Sequence, residues 1–283
     1  MLTKVTAYSQ WTNVDPLVLT VVNRPDTDRF QLRNADGLGA VTAEVNTTKL
    51  GSVDGEDFVG SNVGKRNIVL TIGLQPDWDT WTMSRLRRVL DKYFMPKLTI
   101  RLVFETMEFS PVEIFGHIES NEPNMFSKDP EHVISIICPQ LYFRSVDPTV
   151  IEGQTDMDPL EIEYEGNVET GIEVLLLDGG VGGDPAWAKI QVNDPLENSI
   201  QVSEPTLFNE NLRMSSIPGD KHIARVNIAG PETSLLNSAI IIDENNRNRQ
   251  WPKIGPGTID FAVTTDVGPK AWSLTYYNQF ASL

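Results

Sequence analysis

The chain has 283 residues, 40% of them apolar and 8% aromatic, enough to bury two cores of ordinary domain size. Its net charge is −16, from 39 acidic and 23 basic side chains. Tight binding to nucleic acid or to an anionic membrane surface needs clustered Lys and Arg, so both classes are disfavoured.

Leu17 to Val22 reads as a short buried strand. Phe30 to Asn34 reads as a second, closed by an Asp36-Gly37 turn, and Val41 to Val45 alternates as a third. The segment Asn46 to Gly64 is polar and carries Gly51, Gly55, Gly60 and Gly64. It is either a mobile loop or an extended arm that orders against a neighbour.

Ile68 to Leu74 is apolar and β-branched, which suits a strand. An amphipathic helix follows. Asp77 or Asp79 caps its start, and Pro96 ends it. Trp78, Trp81, Leu86, Val89, Leu90, Tyr93 and Phe94 recur at helical spacing on one face, while Arg85, Arg88 and Lys92 fall mostly off it. Leu98 to Phe104, Val112 to Ser120 and His132 to Cys138 read as strands, with a turn-rich loop from Asn121 to Pro130. Leu141 to Phe143 reads as a packed plug. The acidic, turn-rich Ser145 to Pro159 marks a boundary, giving expected domains 1–147 and 148–283.

The second half is all β by pattern. Leu160 to Tyr164, Thr170 to Leu177, Ala188 to Val192, Ser199 to Val202 and Leu207 to Met214 are expected strands. So are His222 to Ile228, Ala239 to Asp243, Thr258 to Val263 and Ala271 to Tyr277. Short strands separated by turn residues predict a sandwich or barrel. The expected class is therefore mainly β with one α-helix.

The N-terminal MLTKVTAYSQW has no charged region followed by an apolar run, so no signal peptide is expected, nor any membrane span. Cys138 is the sole cysteine, which excludes an internal disulfide; its neighbours Ile136, Ile137 and Pro139 suit a buried apolar role. His117, His132 and His222 have no partner at metal-ligand spacing, so neither metal nor cofactor is expected. Asp54, Glu56 and Asp57 lack the spacing and closing Glu of a calcium loop. Glu161, Glu163 and Glu165 alternate with Ile162 and Tyr164, the pattern of a strand's wet face rather than a glycosidase pair. Arg85, Arg87 and Arg88 are either a solvated helix face or a contact for an acidic partner. Trp78 and Trp81 lie on the apolar face, which favours core over a stacking platform. No catalytic residue emerges.

Three runs of residues, in this order, resemble the distal tail proteins of long-tailed phages, the Dit family. The first is the Asp54-Gly55 turn, then Gly64-Lys65-Arg66-Asn67-Ile68 leading into Leu70 and Ile72, followed by a single helix. The second is Ile114-Phe115-Gly116-His117-Ile118-Glu119, then Asn124-Met125-Phe126-Ser127, then Ile134 to Pro139, with Tyr142 and Phe143 soon after. The third is Gly219-Asp220, with Trp251-Pro252 and the Gly255-Pro256-Gly257-Thr258 turn into Ile259 and Phe261. The loop around Gly182 and Gly183 and the turn after His222 depart from the pattern.

The resemblance implies a structural virion protein. It implies a β-sandwich-like first domain with a single helix that forms a hexameric ring around a DNA channel, and a galectin-like second domain. Implied partners are the tail-tube protein, the tail-associated hub protein and peripheral or receptor-binding baseplate proteins. The implied location is the phage tail tip, after assembly in the host cytoplasm. The interface is expected at Asp54, Gly55, Phe58, Gly64, Arg66, Arg85, Arg88 and Lys92. Two other classes stay open: a carbohydrate-binding host-adsorption protein, and a cell-wall glycoside hydrolase using Glu161, Glu163 or Glu165.

Overall fold

A computed structural model describes residues 1–11, 14–21, 28–49, 51, 54–77, 79–124, 130–155, 157–177, 184–194, 196–206, 210–227, 232–243 and 251–283. Trp78, Met125 to Ser127, Leu207 and the Gly182-Gly183 loop lie outside these residues. The chain divides into two compact units, Met1–Val146 with Phe280–Leu283, and Asp147–Gln279. The last four residues therefore return to the first unit, where the sequence reading had assigned them to the second domain.

The first unit contains β1 (Leu2–Ser9), β2 (Leu17–Thr20), β3 (Phe30–Asp36), β4 (Ala43–Lys49), β5 (Glu56–Val63), β6 (Arg66–Leu74), α1 (Met83–Phe94), β7 (Thr99–Thr106), β8 (Val112–Pro123), β9 (Glu131–Cys138) and β10 (Phe143–Ser145). Its main sheet runs β8-β7-β1-β2-β3-β6-β9, and β9 pairs back onto β8. The mainly β reading holds, but the sheet closes into a barrel where a sandwich-like layer was expected. Closure removes both edges of the sheet, which is one way a β-protein avoids pairing with strangers. The weakest seam is β2–β3, a parallel contact with a single register pair, Thr20 and Gln31.

Alternation fills the barrel. Val5, Ala7, Leu19, Leu32, Ile68, Leu70, Ile72, Leu102, Phe104, Ile114, Ile134 and Ile136 point inward and are fully or nearly fully buried. The first strand escaped the sequence reading, because its inward side chains include only the small Val5 and Ala7 among Thr and Lys. It is nevertheless central, between β2 and β7.

Helix α1 packs Leu86, Leu90, Tyr93 and Phe94 against this core. It starts later than the sequence suggested. Thr82 is the N-cap, accepting from the Arg85 amide at 3.4 Å. Asp77 instead closes the preceding turn, accepting from the amides of Asp79, Thr80 and Trp81 and from the Thr80 hydroxyl. Those bonds, the Thr80 hydroxyl first, hold the Asp77 carboxyl down to about 2.

The second unit contains β11 (Thr149–Gln154), β12 (Leu160–Tyr164), β13 (Thr170–Leu176), β14 (Trp187–Asp194), β15 (Leu196–Ser203), β16 (Glu210–Ser215), β17 (His222–Asn227), β18 (Thr233–Ser234), β19 (Ala239–Asp243), β20 (Lys253–Ile254), β21 (Gly257–Thr265) and β22 (Ala271–Tyr276). One sheet runs β11-β22-β13-β16-β17-β18, with β20 also on β13, and the other runs β12-β21-β14-β15-β19. Their inner faces share one core, with Phe261 of one sheet edge-on to Trp272 of the other at 5.1 Å. The Tyr164 hydroxyl donates to the Val168 carbonyl at 2.7 Å and accepts from the Gln279 amide at 2.8 Å. Gly166 is needed beside it, since a Cβ there would sit 2.3 Å from that hydroxyl. The last strand, β23 (Gln279–Phe280), carries the chain back to the first sheet beside β10.

Candidate interface

Four of the expected interface residues sit on one structure. The segment read as loop or arm is a free two-stranded hairpin, β4 paired only with β5. Asp54 and Gly55 lie at its tip, with Gly55 at φ 112, the left-handed side that an Asp-Gly turn exploits. Register sorts its faces. Ala43 opposite Val63, Val45 opposite Ser61 and Thr47 opposite Phe58 make one face, which the Lys49–Glu56 pair closes toward the tip. Glu44 opposite Asn62, Asn46 opposite Gly60 and Thr48 opposite Asp57 make a polar one. A bulge at Val59 separates the two halves. Phe58 is 66% exposed and Val45 60%. A two-stranded hairpin paired with no other strand is marginal in water, and this one leaves apolar side chains exposed. Sequence reasoning missed Val45, Val59 and Val63, because only the cross-strand register shows which of them share a face.

Arg66 does not belong to that surface. It was expected at the interface, but it is 2% exposed and forms the arm's root. Its guanidinium donates to the carbonyls of Gly37 at 2.5 Å, Gly39 at 2.7 Å, Leu141 at 2.7 Å and Ala281 at 2.7 Å. The Phe143 ring lies 4.6 Å away. Gly37 and Gly39 lie on the chain entering the arm, so this one side chain fixes where the arm leaves the barrel. Burial lowers the Arg66 pKa from its ordinary value. Gly37 must be glycine here: it sits at φ 82, and a Cβ would come 2.0 Å from the Asn67 carbonyl oxygen.

The remaining three residues lie on α1, and Arg85, Arg88 and Lys92 are exposed as read. Trp81, half-buried against the core, carries the Arg85 guanidinium over its ring at 4.4 Å. Met95 is exposed at the far end. Arg85, Arg88 and Lys92 thus follow one another at intervals of three and four along the outer face of α1. Among the described residues, no carboxylate pairs with the three cations. The arm enters β6 at its start, and α1 follows β6 in the chain after a connecting turn.

The other residues weighed for chemistry find structural roles. Glu161 and Glu163 are exposed while Ile162 and Tyr164 are buried, the pattern of a wet strand face. Trp251 is half-buried against the second core. Cys138 is buried, and burial pushes its thiol up to about 11. His132 is buried, with Nδ1 beside Asn121 Oδ1 at 2.8 Å; burial, then Arg87, lowers its pKa, while Asp91 opposes. Among the described residues, no three His, Cys, Asp or Glu side chains gather where they could hold a metal. Glu113, 2% exposed, bridges Arg101 at 2.5 Å and Arg144 at 2.7 Å on the outside of the barrel.

No family model matches the sequence, and no curated protein matches it. Among solved structures the chain is similar to SPP1 Dit (gp 19.1), described as a paradigm of the hub adsorption apparatus in phages infecting Gram-positive bacteria. The TM-score is 0.64 at 13% identity, covering 90% of this chain and 95% of that one. A chain of the phage p2 baseplate in its activated conformation is similar over 99% of each chain, at 10% identity and a TM-score of 0.47. At 13% identity the first likeness is one of fold, and it extends through both units.

Proposed function

We propose that the chain is a structural protein of the distal end of a long phage tail, part of the adsorption apparatus and not an enzyme. The observation that carries this reading is the fold likeness to SPP1 Dit over nearly the full length of both chains. On this reading the first unit builds a hexameric ring around a channel for DNA, and the second, galectin-like unit carries peripheral parts. One face of the ring meets the tail-tube protein. The other meets the hub or tail-associated protein, with receptor-binding or peripheral baseplate proteins beyond. The protein's place is the virion tail tip, reached from the host cytoplasm.

Physical features support the ring. A closed ring needs two different, mutually fitting surfaces on each copy. The arm and the basic helix face are two such different surfaces on one chain. A net charge of −16 suits a channel that DNA crosses without sticking, since like charges repel phosphate.

Light scattering of the purified chain, with negative-stain images of the same fraction, tests the reading. Six copies of the 31.6 kDa chain weigh about 190 kDa, the expected mass of a closed ring. A chain that stays monomeric at every concentration, forms no ring-shaped particles and captures no tail-tube or hub protein would overturn it.

A further inference from the structure

We infer that the acidic face of the hairpin arm of one copy docks on the basic outer stripe of α1 in a second copy. The inference rests on the ring reading and names its contact. The arm presents Glu44 and Asp57 on its polar face and Asp54 at its tip, all exposed. Among the described residues, none of these three carboxylates has a cationic partner, since Lys49 is taken by Glu56. The helix presents three exposed cations, Arg85, Arg88 and Lys92, equally without carboxylates. The surfaces match in charge, three against three, within a chain that is otherwise strongly acidic.

They are also similar in length. The seven residues of β4 span about 23 Å as a strand, and the twelve residues of α1 span about 18 Å at helical rise. Arg66 ties the root of the arm to the start of β6, and the arm and α1 are different surfaces of the chain. The contact is therefore heterologous, arm to helix, the kind that propagates around a ring. Arg85 is already held over Trp81, which reduces the freedom it loses on pairing. The other face of the arm, with Val45, Phe58 and Val63, points to the far side and stays available to the non-identical neighbours of the tail.

Charge reversal tests the pairing in the full-length protein. An arm variant, E44K/D54K/D57K, places like charges on arm and helix, and so does a helix variant, R85E/R88E/K92E. Each alone is expected to lose assembly and run at monomer mass. An equimolar mixture regains it, because every contact between unlike copies is then complementary. A single chain carrying all six changes also regains it, which separates lost pairing from failed folding. The wild-type assembly weakens from about 0.1 M to 1 M salt, as partly exposed ion pairs do.

A second measurement reads the contact without ring closure. Copies carrying D57C are mixed with copies carrying R88C and a short bis-maleimide. The buried Cys138 stays silent, so a cross-link that forms in the mixture and not in either variant alone reads the arm-to-helix contact. A cross-link from monomeric wild-type-like chains supports the contact while counting against a self-closing ring. Reversed variants that assemble like wild type overturn the contact and leave the ring reading standing. Absence of the cross-link overturns the contact whatever the mass.

Discussion

The Arg66 guanidinium donates a 2.7 Å hydrogen bond to the carbonyl of Ala281, a residue 215 positions further along the chain. The same side chain serves Gly37 and Gly39 at the root of the arm and Leu141 beyond β9. It satisfies backbone acceptors from three separate stretches of the first unit. Replacing it by alanine strands four carbonyls beneath the surface. Arg66→Ala is expected to cost about 3 kcal/mol, since buried polar groups left without partners keep their full desolvation penalty with no bond to offset it. A urea midpoint for the first unit equal to wild type would refute this. Arg66→Lys rescues little, because an ammonium cannot reproduce the planar fork.

Helix α1 divides its residues sharply between core and surface. Leu90 is fully buried against the barrel core, and Arg88 two residues earlier is exposed. Leu90→Ala is expected to lower stability by about 3 kcal/mol through lost contacts and a residual cavity. Arg88→Ala is expected to stay within about 0.5 kcal/mol of wild type, as surface changes do. Denaturant unfolding at a concentration where the chain is monomeric checks both, and a large effect at Arg88 would contradict its exposure.

His132 sets a pH dependence with a definite sign. Its folded pKa lies below the ordinary 6.5, chiefly because burial disfavours the charged ring. The unfolded chain therefore binds the proton more readily. The stability tied to neutral His132 is complete above about pH 6.5 and declines as pH falls below it toward the folded pKa. His132→Gln is expected to flatten the fall in melting temperature between about pH 7 and pH 5. An unchanged slope would show that His132 does not titrate on unfolding.

Cys138 is expected to resist thiol reagents in the folded protein. Burial pushes the thiol up to about 11, leaving almost no thiolate at neutral pH, and the side chain has no access to solvent. Its labelling rate should follow opening of the first unit and rise steeply with urea. Rapid labelling in native buffer would show that the barrel opens locally there.

Much of this molecule was legible in its residues one stretch at a time. Ile68 to Leu74 and Leu160 to Tyr164 are strands because alternation and β-branching are local properties. The buried face of α1 follows from helical spacing, and Cys138 is buried because it sits in an apolar strand. The wet stripe of Glu161 and Glu163 follows from the same period of two.

What the tertiary structure alone decided involves partners distant in sequence. The return of β9 onto β8 turns a sheet into a barrel, and no local pattern encodes which edges meet. The face of the arm that carries Val45, Phe58 and Val63 exists only through the register that sets Thr47 opposite Phe58 and Ala43 opposite Val63. Arg66 looked like a surface cation because basic residues usually are. It is buried because four carbonyls, the most distant 215 residues away, converge on one guanidinium and replace the water it gives up.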